Sequence, residues 1–161
     1  MSNNFLINSD DKIFKIQAND NDTYCSTYRY GDDSNCLEIV ATDNTRYIQF
    51  INCMYLDKIH FEKLSLPGYT DLDGIELVDN PLLYHKSDVD DYVSNFEIIL
   101  NNNELGIILI PDYDPCFYYI YGRVEYYYDD CTNLTYIKVV DLSEVECNYF
   151  KNFVKEDSLV K

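Results

Sequence analysis

Clusters of Asp and Asn recur along the chain and limit how long any one element can run. They stand at "NSDD" (8–11), "ANDND" (18–22), "GDDSN" (31–35), "TDNT" (42–45), "NNN" (101–103) and "DDCTN" (129–133). Asx side chains hydrogen-bond nearby backbone groups and tolerate unusual dihedrals, so each cluster favours a turn. Between them lie short β-prone runs, a spacing that predicts antiparallel hairpins rather than long helices. Strands are expected at Phe5–Ile7, Lys12–Ala18, Tyr24–Tyr30, Cys36–Ala41 and Arg46–Cys53. A second series is expected at Glu104–Ile110, Cys116–Tyr128 and Leu134–Val140.

Two segments read as helices. In "SDVDDYVSNFEIIL" the residues Val89, Tyr92, Val93, Phe96 and Leu100 fall on one face at a 3.6-residue period, predicting a helix over 88–100. Ser87 stands where an N-cap belongs, and Asp88, Asp90 and Asp91 suit the positive end of the helix dipole. The second helix, over 143–155, opens with the capping-box pattern Ser143-x-x-Glu146. Its residues Val145, Tyr149, Phe150, Phe153 and Val154 are expected to pack on the sheet. Met54–Leu66 fits a strand by the alternation of Ile59 and Phe61, or a helix by Leu56, Ile59 and Lys63; the reading leans to strand. Pro67–Gly74 reads as a loop. The expected architecture is a single α+β domain over 1–161, mainly antiparallel sheet with about two helices.

The 161 residues carry 29 acidic and 12 basic side chains, a net charge of −17. The acid is distributed: residues 1–80 hold 14 acidic and 6 basic groups, residues 81–161 hold 15 and 6. A body this negative is a poor ligand for phosphate backbones or anionic lipid, which need clustered Lys and Arg. It suits a basic partner. No apolar run approaches the ~18 residues of a membrane span, and "NNFLINSDD" lacks a secretory signal's basic and apolar regions, so a cytoplasmic chain is expected. The cysteines at 25, 36, 53, 116, 131 and 147 form no C-x-x-C pair and are expected as free thiols.

Motifs for catalysis are weak. "PDYDP" (Asp112, Asp114) and "TDLDG" (Asp71, Asp73) pair carboxylates, as a hydrolase needs, but such pairs arise from composition in so acidic a chain. A Cys–His nucleophilic pair would have to use His60 or His85, and neither has a metal-ligand or catalytic spacing. "DLDG" opens like a calcium loop but supplies neither the Gly nor the Glu at the required positions. No metal and no cofactor is expected, and there is no nucleotide or hydrolase fingerprint.

What remains is "CFYYIYGRVEYYYDDC", a Tyr-rich run ending in Asp129 and Asp130. Read as one strand, it sends Tyr118, Tyr126 and Tyr128 to the core. Tyr119, Tyr121 and Tyr127 then form an outward stripe, which with the neighbouring acid suits a protein interface. The candidate partner-binding residues are therefore Asp88, Asp90, Asp91, Asp112, Tyr113, Asp114, Tyr119, Tyr121, Tyr127, Asp129 and Asp130. In size, acidity and lack of a catalytic motif the chain is similar to immunity proteins of bacterial toxin–immunity pairs, though no segment or residue carries over. The expected function is a non-enzymatic inhibitor that neutralises a basic toxin or nuclease domain. A phage-type inhibitor of a host nucleic-acid-binding defence protein, or a small hydrolase using paired carboxylates or a Cys–His pair, are the alternatives.

Overall fold

Short β-prone runs between turns cannot bury their faces alone, and here they pair into two sheets that close on a common core. The computed structural model describes residues 5–8, 13–18, 25–31, 36–42, 47–54, 76–77, 96–110, 115–130 and 133–159. The first sheet contains β1 (Phe5–Asn8), β2 (Ile13–Gln17), β3 (Cys25–Gly31), β4 (Cys36–Thr42) and β5 (Ile48–Met54), in the order β1-β2-β5-β4-β3. The second contains β6 (Glu76–Leu77), β7 (Glu97–Asn101), β8 (Glu104–Ile108), β9 (Phe117–Tyr121), β10 (Val124–Tyr128) and β11 (Leu134–Val139). Its order is β6-β9-β10-β11-β8-β7. All pairings are antiparallel except the two-residue contact of β6 with β9.

Alternation decides the core. Phe14 and Ile16 of β2, Leu37 and Ile39 of β4, and Ile51 and Cys53 of β5 point inward from the first sheet. Ile98 and Leu100, Leu105 and Ile107, Val124 and Tyr126, and Ile137 and Val139 meet them from the second. The sole helix among the described residues, α1 (Glu144–Leu159), joins this core through Phe150. The Phe150 ring lies 5.6 Å from Phe14 and 6.2 Å from Phe5, and these two rings are 5.5 Å apart. Aromatic pairs at such distances add ~0.5–1.5 kcal/mol each beyond the area they bury.

The start of α1 is built as its sequence implies. Ser143 Oγ accepts from the Glu146 N–H at 3.2 Å, and Glu146 Oε1 accepts from the Ser143 N–H at 2.9 Å. Leu142 before the cap and Cys147 after it are both buried in the core, as in a hydrophobic staple. The Leu142 N–H also donates to Asn103 O, tying the helix entry to the β7–β8 turn.

Three expectations need correction. The helix over 88–100 does not hold at its C-terminal end, where Glu97–Asn101 is strand β7. Phe96, Ile98 and Leu100 satisfy a period of two as well as Phe96 and Leu100 satisfy a helical one, and pairing with β8 selects the strand. Residues 88–95, 55–66 and 67–74 lie outside the described residues. Val145 does not pack on the sheet, being 78% exposed. It lies five positions, about 140° of helical rotation, from Phe150, so the core-facing stripe runs instead through Cys147 and Phe150. Third, Cys116–Tyr128 is not one strand but a hairpin, β9 and β10, joined by Gly122 and Arg123.

Candidate partner-binding site

That hairpin rearranges the tyrosine stripe. Gly122 has φ 60°, a left-handed conformation that a Cβ would disfavour, and reverses the chain in two residues. Tyr121 then faces Val124, and Tyr119 faces Tyr126, so odd positions on β9 share a face with even positions on β10. Tyr119 and Tyr121 thus lie half-buried on the core side, with the Tyr119 ring 6.0 Å from Tyr126. Burial, then the neighbouring Tyr121, raises the Tyr119 pKa. Burial, followed by Tyr128, Tyr119 and Tyr121, pushes that of Tyr126 well above its ordinary value. The Tyr126 hydroxyl finds no hydrogen-bond partner among the described residues.

Tyr127 does point to the opposite face, but it is fully buried and offers no contact surface. Its ring lies 5.8 Å from Tyr136, and its hydroxyl donates to Glu125 Oε2 at 2.8 Å. Lys138, on β11 opposite Glu125, has its Nζ 3.7 Å from that carboxylate and 3.6 Å from Glu104. This aromatic and ionic ladder crosses β8, β10 and β11. One ammonium is shared between two carboxylates, and these cross-strand contacts stabilise the strand register. The signal for it was Lys138 in the centre of the apolar run "LTYIKVV".

The other predicted contacts divide. Asp129 is buried and closes the turn before β11: Oδ1 accepts from the Asn133 N–H at 2.8 Å and Oδ2 from its side-chain amide at 3.0 Å. It is a backbone-organising residue. Asp130 is exposed. Asp88, Asp90, Asp91, Asp112, Tyr113 and Asp114 lie outside the described residues, as do His60, His85, Asp71 and Asp73. Of the cysteines, Cys36, Cys53, Cys116 and Cys147 are free thiols. No group of three His, Cys, Asp or Glu side chains that could hold a metal occurs among the described residues. No described helix is long and apolar enough to cross a membrane.

A surface that the sequence patterning did not single out lies between the first strand and the helix entry. Phe5, Leu6 and Ile7 of β1, with Val145, Glu146 and Tyr149 of α1, line an open groove of about 480 Å³. Leu6 is 53% exposed and Val145 78%, two of the three large apolar side chains left exposed among the described residues. Arg123, from the β9–β10 turn, holds the helix side of this groove. Its guanidinium donates to both Glu146 oxygens at 2.8 and 2.6 Å and to Asp141 O at 3.2 Å. The same group lies 5.2 Å from the Phe5 ring. Burial alone would raise the Glu146 pKa, but the hydrogen bonds from Arg123 and the Ser143 N–H, with the Arg123 charge, hold it below its ordinary value.

Among the described residues, four of the five cationic side chains are engaged within the fold. Arg29 pairs with Glu38 at 3.1 Å, Arg123 with Glu146, and Lys138 with Glu104 and Glu125. The Lys15 ammonium lies 4.2 Å over the Phe50 ring, and Lys151 stands exposed on α1. Glu97, Asp130, Asp141 and Glu144 face solvent. Comparison with family models and with curated protein sequences finds no match to this chain.

Proposed function

We propose that this chain is an acidic binding protein that neutralises a basic protein partner, in the manner of an immunity protein inhibiting a bacterial nuclease-type toxin. The observation that carries the reading is the disposition of charge. The net charge is −17, and most of the described cations are held against carboxylates or a ring of the same fold. Over the described surface an approaching molecule therefore meets carboxylates such as Asp141 and Glu144 more than it meets ammonium or guanidinium groups.

A nuclease groove built for phosphates presents Lys and Arg in the complementary arrangement, and carboxylates held at the turns and helix entry of a folded domain can occupy it. Long-range attraction would speed encounter at low salt, while apolar contact at the interface would set the dissociation rate. Occupation of the substrate groove, or of a surface beside it, blocks the partner. A phage-type inhibitor of a host nucleic-acid-binding protein would use the same chemistry.

The test is affinity capture from the source cells with tagged protein at low salt and at about 0.5 M salt, where charges are screened beyond ~3–5 Å. The expected result is one basic protein, retained at low salt, released at high salt, and inhibited in its own nucleic-acid cleavage by the purified chain. Asp130→Asn and Glu144→Gln should each weaken capture. A specific partner that is neutral or acidic, or held equally at both salt concentrations, would overturn the reading.

A further inference from the structure

We infer that the outer face of the first sheet joins a second copy of this chain, face to face, about a two-fold axis that runs along β5. The inference does not rest on the reading of a basic partner.

Alternation places this face. Phe14, Ile16, Leu37, Ile39, Ile51 and Cys53 turn into the core, so the residues between them turn outward. Register aligns Leu6 of β1, Lys15 of β2, Asn52 of β5, Glu38 of β4 and Arg29 of β3 in one row across the sheet. The next row sets Phe50 of β5 between Gln17 of β2 and Val40 of β4. A sheet face that stays in water is ordinarily polar. Here Leu6 is 53% exposed, and Phe50 and Val40 are only half-buried.

Charge selects the occupant. In a chain of net charge −17, the charged side chains of these two rows are Lys15, Arg29 and Glu38, a surplus of one cation. A basic partner is not attracted there. Two acidic bodies repel least where they meet through a face without surplus acid. The longer row is also complementary to itself, because Lys15 and Glu38 flank Asn52, one strand to either side. A two-fold along β5 lays Lys15 of each copy on Glu38 of the other, and Phe50 on its symmetry mate, between aligned sheets about 10 Å apart. It also brings Leu6 under the aliphatic stem of Arg29. A two-fold across the strands would instead set Lys15 on Lys15. Both groups retain capacity for the contact. Arg29 Nε donates to Glu38 Oε1 at 3.1 Å and leaves Oε2, and the Lys15 ammonium, 4.2 Å over the Phe50 ring, forms no ion pair among the described residues.

The test is sedimentation equilibrium of the full chain at about 0.15 M salt, where the screening length is ~8 Å. The parent chain is expected to form a dimer as its concentration rises. Lys15→Glu and Glu38→Lys each put like charges in contact across that dimer and should each weaken it by about tenfold or more. Mixed in equal amounts, the two variants should form a heterodimer, because the contacts between them are again of opposite sign. Net charge alone predicts otherwise: Glu38→Lys is the less negative variant and would associate best by itself. Circular dichroism verifies each fold. Carbodiimide cross-linking of the parent is a second measurement, independent of the substitutions. It should yield a Lys15–Glu38 amide between isotopically labelled and unlabelled copies, read by mass spectrometry. If Glu38→Lys loses its fold beside Arg29, Lys15→Glu and the cross-link carry the test. A chain that stays monomeric at every concentration overturns the proposal. So does a dimer indifferent to both substitutions, a mixture that associates no better than its components, or a cross-link that joins other faces. The basic-partner reading survives each of these, since it concerns carboxylates outside this face.

Discussion

Arg123 shows how much one side chain can organise when its partners come from different elements. Glu146 lies 23 residues further along the chain, yet the two form a two-pronged pair that joins the β9–β10 turn to the first turn of α1. Such forked, charge-assisted bonds are about twice as strong as neutral ones. Arg123→Ala would leave Glu146 partly buried without its counter-charge and remove the cation from the Phe5 ring. We expect a loss of about 1–2 kcal/mol at neutral pH. The pH dependence has a definite sign. The Glu146 pKa in the folded chain is below its ordinary value of 4.5, so this contribution is present above 4.5 and is lost as pH falls through the folded value. Urea midpoints measured at about pH 7 and about pH 3 should therefore differ less in Arg123→Ala than in the parent. Equal pH dependence in the two proteins would mean that Arg123 does not set the Glu146 titration. The capping half of this arrangement is local and was legible as Ser143-x-x-Glu146. The Arg123 half was not, because no spacing rule links a turn residue to a helix formed later in the chain.

At the scale of elements, the same contrast between local and non-local information explains which expectations held. The strands of the first sheet and the C-terminal helix follow from alternation, Asx turns and a capping box, all written within a few residues. The Tyr-rich run failed on a single dihedral. With "GR" read as part of one strand, Tyr119, Tyr121 and Tyr127 share a face. With Gly122 as a turn, the first two join the core side and Tyr127 the other. The candidate surface shifted for a related reason. Leu6 and Val145 are ordinary apolar residues in strand and helix patterns, and their exposure depends on where β1 lies in the sheet and how α1 is rotated. The importance of Gly122 can be measured. Ala there must adopt a positive φ, a cost of about 1–2 kcal/mol, so Gly122→Ala should lower stability by roughly that amount. Hydrogen exchange should locate the effect, with the amides of β9 and β10 opening before those of β2 and β5. A uniform change across both sheets would instead show that the hairpin and the first sheet unfold as one unit.

For the whole molecule, charge acts on folding and on binding with opposite signs. Twenty-nine carboxylates against twelve cations repel one another in the compact state, and this repulsion opposes folding at low ionic strength. Raising salt from about 10 mM to about 0.5 M shortens the screening length from ~30 Å to ~4 Å, which removes most long-range repulsion. The short pairs are less affected, because Arg123, Glu146 and Lys138 are shielded from solvent by the fold. The thermal midpoint of the isolated chain should therefore rise with sodium chloride, by several degrees if the relief is about 1 kcal/mol. Over the same range the proposed complex should weaken, since the screened attraction is that between the acidic body and a basic partner. Calorimetry on the free chain and titration of the captured partner, in matched buffers, measure the two slopes. Opposite slopes separate loss of binding from loss of fold, because the chain would release its partner under the conditions in which it is most stable. A midpoint that falls with salt would mean that internal ion pairs outweigh the surplus acid, and the charge of −17 would then give no evidence of a basic partner.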